Sequence, residues 1–321
     1  MSVIKKFQGR HSLEEVPGLV SAIVLSFNRK EETLQCLEAL RHQTYPEVEI
    51  IVLENGSTDG SREALEQWAG RVGLIVKERN HGDWEGRDIA LSDCRGEFVV
   101  IVDNDAIVPQ NCFEGLVEAL RCKENLGAVQ PRIEDPVTGS PYDPGFGPES
   151  AGMRFYKAVF HGCVTMFRAE ALKNAGGFPH YLLGGAEDYI SLRFYHLGYK
   201  VLYEPSVVIR HLKSSKERTP FFRLQQQSRQ KMRAKMALAP GLPFAMAIFA
   251  RGVAAFVYHC LRAGHVLKVF PGIGAHVASG LLALKERTPL SPGAFSTYYR
   301  LKRRMTLPSE ATHDGVGLGG R

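Results

Sequence analysis

"VVIVDNDAIVP", residues 99–109, drives an apolar strand straight into two aspartates, Asp103 and Asp105. Side chains two positions apart on an extended chain share a face, so both carboxylates can converge on one hard cation where the strand ends. Mg²⁺ or Mn²⁺ takes oxygen ligands and often completes its shell with substrate phosphates. A solvated turn closing a strand is the plainer reading of the same letters. The position of the strand in its neighbourhood favours the ligand.

Three similar runs precede it. "LVSAIVLS" (19–26) is short and almost continuously apolar, as expected of a strand buried on both faces. "VEIIVL" (48–53), "VGLIVK" (72–77) and "EFVVIV" (97–102) read the same way. Between them, Asn28 with Glu31 three residues on suggests a capping box for a helix carrying Leu34, Leu37 and Leu40. "NGSTDGS" (55–61) is a turn leading into a helix with Leu65, Trp68 and Ala69 on one face, with Thr58 or Asp59 as its N-cap, and residues 84–94 form another helix. This alternation predicts an α/β architecture with a doubly wound, mostly parallel sheet. Ligands of such sheets bind beyond the carboxyl ends of the strands, where Ser26–Arg29, Glu54–Asp59 and Asp103–Asp105 all fall.

Residues 131–160, rich in Pro and Gly, read as a long loop. "GCVTMFRAEAL" (162–172) is a strand followed by a helix start. "AEDYISLRFYHLG" (186–198) is a helix opening with Glu187 and Asp188. Acids at a helix start complement its dipole, and a carboxylate beside flexible glycines also suits a general base. "KVLYEPSVVIRH" (200–211) is a strand ending in His211, which is structural or, if it returns to the aspartate edge, an imidazole ligand. Arg87 suits phosphate recognition, or a surface ion pair with Glu78, Glu85 or Asp83.

The six cysteines are scattered without a CxxC pair, as expected of reduced cytosolic thiols, and no apolar run follows Lys5 and Lys6, so no signal peptide is expected. The net charge of +6 hides a division. From Arg210 onward 19 Lys and Arg face 4 acids, whereas residues 1–209 hold 21 basic and 30 acidic residues. Such a split suggests two jobs. The basic part begins with "KSSKERTPFFRLQQQSRQKMRAKM" (213–236) and continues in apolar stretches at 237–261 and 266–284. Pro240, Pro243 and Arg251 interrupt the first, and Lys268, Pro271 and His276 the second, which favours helices lying in a membrane interface over clean spans. A nucleic-acid binder explains the basic part but not the acidic ligand edge, so no nucleic-acid partner is expected.

Taken in order, "SFNR" (26–29), "ENGSTDGS" (54–61), "DND" (103–105), "GCVTMFRAEAL", "GGF" (176–178), "ED" (187–188) and "LGYKVLYEPSVVIRH" (197–211) resemble glycosyltransferase family 2, the inverting enzymes of the GT-A fold, and its bacterial rhamnosyltransferase-like members. The resemblance runs from Val20 to His211. It implies a nucleotide-diphosphate sugar donor bordered by Ser26, Asn28, Arg29, Glu54, Asn55, Arg87, Asp103 and Asn104. It also implies Mg²⁺ or Mn²⁺ held mainly by Asp105, with Asp103 and His211, and Asp188 as general base with Glu187 beside it. The chain departs from the family pattern at Glu54, where Asp is usual, at Asp88, where Asn is frequent, and at Pro179 and His180, where acids commonly follow "GGF". "QQQSRQ" (225–230) lacks the tryptophan that accompanies QxxR in processive synthases, which points to transfer of single sugars.

The expected organisation is an N-terminal extension (1–18), a GT-A catalytic domain (19–211) with nucleotide-binding (19–130) and acceptor-binding (131–211) parts, a helical membrane-associating segment (212–306) and a disordered tail (307–321). The expected acceptor is a lipid-linked or cell-envelope glycan, met at the inner face of the cytoplasmic membrane by a peripherally bound cytoplasmic enzyme. A polyprenyl-phosphate sugar synthase is the nearest alternative. A non-catalytic membrane scaffold is the alternative of another class, and the intact Asp103, Asp105 and Asp188 speak against it. A sugar nucleotidyltransferase would want a Gly-rich loop that "SFNRKEE" does not provide.

Overall fold

The computed structural model describes residues 15–142, 152–181, 183–212 and 220–306. Strands β1 (Val16–Ser26), β2 (Val48–Asn55), β3 (Gly73–Lys77) and β4 (Gly96–Asp103) lie parallel, as their apolar runs require. Ile23, Val24, Val52, Leu53, Val100 and Ile101 are all completely buried, and the β-branched valines and isoleucines among them suit a pleated, covered surface. β1 starts at Val16, so its first three residues fall within the expected N-terminal extension.

Beyond β4 the sheet changes direction. β8 (Val164–Arg168) runs antiparallel to β4 and to β6 (Leu126–Glu134), and β6 pairs in parallel with β9 (Lys200–His211). β5 (Ala106–Ile107) and β7 (Phe155–Lys157) add short antiparallel partners to β9, giving nine strands in the path β3-β2-β1-β4-β8-β6-β9-β5 with β7 beside β9. The long loop expected from residue 131 therefore begins later, because β6 continues through Pro131 to Glu134. Proline cannot donate to a ladder and is tolerated at irregularities; the β6–β9 register shifts between Pro131 and Arg132. The Pro/Gly-rich residues 143–151 lie outside the described part.

Helices cover both faces of the sheet. On one face α1 (Lys30–Arg41) contributes Leu37 and Leu40 to the core, along with Phe113 and Leu116 of α4 (Cys112–Arg121), a helix the sequence reading did not single out. On that face the short α2 (Ser61–Glu66) adds Leu65. On the other face lie α3 (Asp83–Leu91), α5 (Ala169–Asn174) and α6 (Ala186–His196), contributing Trp84, Leu172 and Ile190.

Four helices complete the described chain: α7 (Pro220–Leu238), α8 (Leu242–Arg262), α9 (Val269–Lys285) and α10 (Pro292–Thr306). α10 returns to the sheet domain and buries Phe295 and Tyr298 in the same core as Ile190. α8 and the segment Val266–Lys285 are each long and apolar enough to cross a membrane by length and composition, with only 17% and 33% of their apolar windows buried. The tail expected to be disordered lies outside the described residues.

Candidate active site

β1, β2 and β4 end side by side, with Ser26 opposite Glu54 and Leu25 opposite Asp103 in register. The loops above them are knitted together by short polar side chains. Asn28 adopts a left-handed φ of 50°, and its Oδ1 accepts from the Thr58 amide at 2.8 Å. Arg29, not Asn28, occupies the N-cap position of α1, and it makes no side-chain cap bond. The capping box is displaced because Asn tolerates left-handed geometry and finds a partner in the next loop. The N-cap of α2 is Gly60, not Thr58 or Asp59; Asp59 instead accepts from the backbone of Lys30 and Ser61, tying the starts of α1 and α2.

Glu54 is 1% exposed, and its carboxylate curls back to accept from the amides of Gly56 and Ser57 at 3.1 and 2.7 Å. Asn55 bonds Asn80, Gly82 and His81 of the loop before α3. Gly56, at φ 76°, is needed there: a Cβ would stand 2.8 Å from the backbone of Arg79. Asn104 donates to Thr33 Oγ1 at 2.9 Å, and Ser26 Oγ lies 3.4 Å from the same hydroxyl.

The two aspartates take different partners. Asp103 Oδ1 accepts from Arg87 Nη2 at 2.5 Å. Asp105 Oδ2 pairs with Arg29 Nη1 at 2.5 Å, and its Oδ1 lies 3.1 Å from His211 Nε2. His211 also sits 3.7 Å from Asp103 Oδ2. The short β5–β9 pairing sets His211 opposite Ala106 and so brings the end of β9 to the aspartates. Burial pushes the Asp103 carboxyl up to about 6, with Arg87 offsetting only part of the effect. Asp105 goes the other way, to about 2: burial opposes ionisation, but His211 and Arg29 outweigh it.

These residues fit a divalent cation by their chemistry. One ligand atom each from Asp103, Cys163 and His211 lies within 4.8 Å of the others, and Asp105 joins them through His211. Buried His211 Nδ1 has no hydrogen-bond partner among the described residues. Carboxylate oxygens with an imidazole suit Mn²⁺ or Mg²⁺, the imidazole favouring the former.

Arg87 is not the surface ion-pair residue that the alternative reading offered. It is 1% exposed, stacks 4.7 Å over Trp84 and bridges Asp103 and Asp83. Its Nε and Nη1 are buried with no hydrogen-bond partner among the described residues. An unspent guanidinium edge at a sheet's ligand edge suits a phosphate.

The acidic pair is split by helix geometry, since successive residues project about 100° apart. Gly185, at φ 82°, lets the start of α6 press on α7: a Cβ there would stand 2.6 Å from the Gln230 carbonyl oxygen. From that start Asp188 turns toward the C-terminal helices. It is 3% exposed, accepts from the Tyr298 hydroxyl and pairs with Lys235 Nζ at 3.1 Å. Burial opposes its ionisation, yet Lys235, Lys231 and the Tyr298 hydroxyl hold its carboxyl below the usual range. Glu187 turns the other way. Its Oε1 stands 3.4 Å from where a Cβ on Gly162 would lie, next to Trp84, and its charge is felt by Arg87. Glu187 Oε2 is buried and has no hydrogen-bond partner among the described residues. Burial, reinforced by Asp188, pushes the Glu187 carboxyl up to about 7.

Two departures from the family pattern meet each other. Asp88 accepts from the Phe178 amide at 3.1 Å and lies 3.0 Å from His180 Nε2. Sequence reasoning missed Cys163, Tyr298 and Lys235. Lys235 and Tyr298 lie 47 and 110 positions from Asp188, and no local pattern links them to it.

The chain is similar to known proteins in sequence and in fold. The glycosyl transferase family 2 model matches residues 21–175. Glycosyltransferase GlyG of Streptococcus pneumoniae is 28% identical over 159 residues, 49% of this chain and 49% of its own. Glycosyltransferase AglE of Haloferax volcanii is 24% identical over 200 residues, 59% of this chain and 65% of its own. The chain thus spans about half to two thirds of the length of these curated relatives. Among solved structures, a mannosyltransferase from Pyrobaculum calidifontis in complex with GDP-Man and Mn²⁺ superposes with a TM-score of 0.59 at 20% identity, over 96% of this chain and 87% of its own. GalNAc-T7 with UDP, GalNAc and Mn²⁺ gives 0.57 at 16% identity, over 68% and 48%. Residues 21–175 of this chain thus match the glycosyl transferase family 2 model, and its fold is the GT-A fold of these neighbours.

Proposed function

We propose that the chain is an inverting glycosyltransferase that moves a sugar from a nucleotide-diphosphate donor to a hydroxyl of a lipid-linked or cell-envelope glycan. The observation that carries this reading is the gathering of Asp103, Asp105, His211 and Arg87 at the carboxyl ends of β4 and β9, with Glu187 facing Arg87. Neighbours that bind GDP-Man or UDP with Mn²⁺ support a nucleotide-sugar donor and a divalent cation. The envelope setting draws on relatives such as the putative teichuronic acid biosynthesis glycosyltransferase of Bacillus subtilis. The two apolar helices support association with a membrane, which we read as attachment at the inner face of the cytoplasmic membrane.

Asp105, Asp103 and His211 would hold Mn²⁺ or Mg²⁺, which supplies Lewis-acid stabilisation of the departing diphosphate. Ser26, Asn28, Arg29, Glu54, Asn55 and Asn104 form the polar rim that would receive the nucleotide, and Arg87 meets a phosphate with its unspent edge. The Glu187–Asp188 pair supplies the base. Asp188 is the member the family resemblance nominates; the geometry favours Glu187. A base works best when its pKa lies near the working pH, and Glu187 is poised there with an unpartnered oxygen. Asp188 is held ionised by Lys235 and Tyr298, a setting suited to positioning. One base on the face opposite the leaving diphosphate gives inversion.

The test is turnover of Glu187→Gln and Asp188→Asn with donor binding measured separately. Glu187→Gln is expected to lose about 10²–10⁴-fold in kcat with donor affinity retained. Near-normal turnover of Glu187→Gln together with loss in Asp188→Asn assigns the proton to Asp188. Near-normal turnover of both variants rejects the acidic pair as base.

A further inference from the structure

A groove of 1510 Å³ runs between α7, α8 and α10. Lys231, Lys235, Arg251, Arg300, Lys302 and Arg303 line it, and among the described residues no Asp or Glu does. Its other wall is apolar, with Met232, Phe244, Ile248 and Phe295. Six cations converging on an apolar trough repel one another. Lys302 shows it: desolvation and then Lys235 hold its pKa below the usual lysine value. The inner end of the groove touches the acidic pair, because Lys235 is the residue 3.1 Å from Asp188 Oδ1. Its outer rim joins the exposed apolar side chains of α8, where Leu242, Phe244 and Met246 are 52%, 39% and 47% exposed.

We propose that this groove holds the phosphate-bearing end of an amphiphilic acceptor, a phosphate or diphosphate ester of a long-chain alcohol, with the anion on the Lys and Arg cluster and the chain along Phe244 and Ile248. This deepens, and rests on, the transferase reading above, by naming where and by what chemistry its lipid-linked acceptor is recognised. Charge complementarity selects the anion, and the apolar trough continuous with the exposed face of α8 selects the chain.

Farnesyl phosphate, inorganic phosphate and farnesol are titrated calorimetrically into the full chain. Farnesyl phosphate is expected to bind at least tenfold more tightly than either of the others. Arg251→Gln combined with Arg300→Gln should weaken farnesyl phosphate at least tenfold, and Phe244→Ser should weaken it without changing inorganic phosphate. Mn²⁺-dependent binding of nucleoside diphosphate is measured on the same samples. It reports on the donor site alone and should be unchanged, which also shows that the variants fold. Equal affinity for phosphate and farnesyl phosphate, equal affinity for farnesol, or indifference to both sets of substitutions overturns the proposal. So does binding confined to phosphatidylglycerol vesicles, which would place these cations against a bilayer surface instead. Loss of nucleoside diphosphate binding by the unsubstituted chain would sink the transferase reading and leave the groove result standing by itself.

Discussion

At the sheet edge, Asp103 and Asp105 each sit 2.5 Å from a guanidinium, whereas the groove among the C-terminal helices is lined by six Lys and Arg and, among the described residues, by no carboxylate. Apolar surface is treated just as differently. The strand residues Ile23, Val52 and Val100 are wholly or almost wholly enclosed, while eleven of the eighteen exposed large hydrophobic residues among those described belong to residues 242–282. The front of the molecule neutralises and covers itself, which builds a precise, dry edge where charge can be tuned. The back exposes apolar side chains and gathers cations, and so fits a surface that meets something anionic and apolar. The two regions touch at Asp188, a carboxylate of α6 held by Lys235 of α7 and Tyr298 of α10.

The sharpest way to stress this division is to titrate Glu187. The base must be deprotonated, and its carboxyl is pushed up to about 7. The rate should therefore hold above pH 7 and fall about tenfold per unit below it, which a kcat/KM profile checks. A profile flat down to pH 5 would place the proton elsewhere.

Cutting the contact between the two regions is the next largest effect. Tyr298→Phe removes a hydroxyl donor from a buried carboxylate, a loss of about 1–3 kcal/mol. If Asp188 positions the site, kcat should fall about tenfold while the affinity for nucleoside diphosphate stays constant. An unaltered kcat with lowered stability would make the contact purely structural.

The smallest effect concerns stability. Burial pushes the Glu187 carboxyl in the folded state from its ordinary 4.5 up to about 7, so the folded state keeps a proton that the unfolded chain releases. Its contribution is present below pH 4.5 and is lost as pH rises through 7. Glu187→Gln has no such loss. Its Tm should exceed that of the parent by about 2–4 °C at pH 8.5 and match it below pH 5, measured by thermal unfolding.

Much of the front region was legible because its information is local. Apolar runs such as 97–102 mark buried strands, and acids at their ends mark the ligand edge. Where reading failed, the deciding partner was distant. Asn28 looked like a helix cap, but Thr58 claimed its oxygen. Pro131 looked like the start of a loop, but a register shift let β6 pass through it. Glu187 and Asp188 read as a pair, and nothing local says that one faces Arg87 and the other Tyr298; that depends on how the helix start at Gly185 seats on α7. The C-terminal helices were legible as basic and apolar, but the groove exists only once three of them pack.

The central claim is that Asp103, Asp105 and His211 bind a divalent cation together with the diphosphate of a nucleotide sugar. Calorimetric titration of a panel of nucleoside diphosphates, with Mn²⁺ and with chelator, into the parent chain and Asp105→Asn tests it most directly. At least one nucleotide should bind the parent only with Mn²⁺, and Asp105→Asn should weaken that binding at least a hundredfold. Binding that survives both chelation and the substitution would contradict the account.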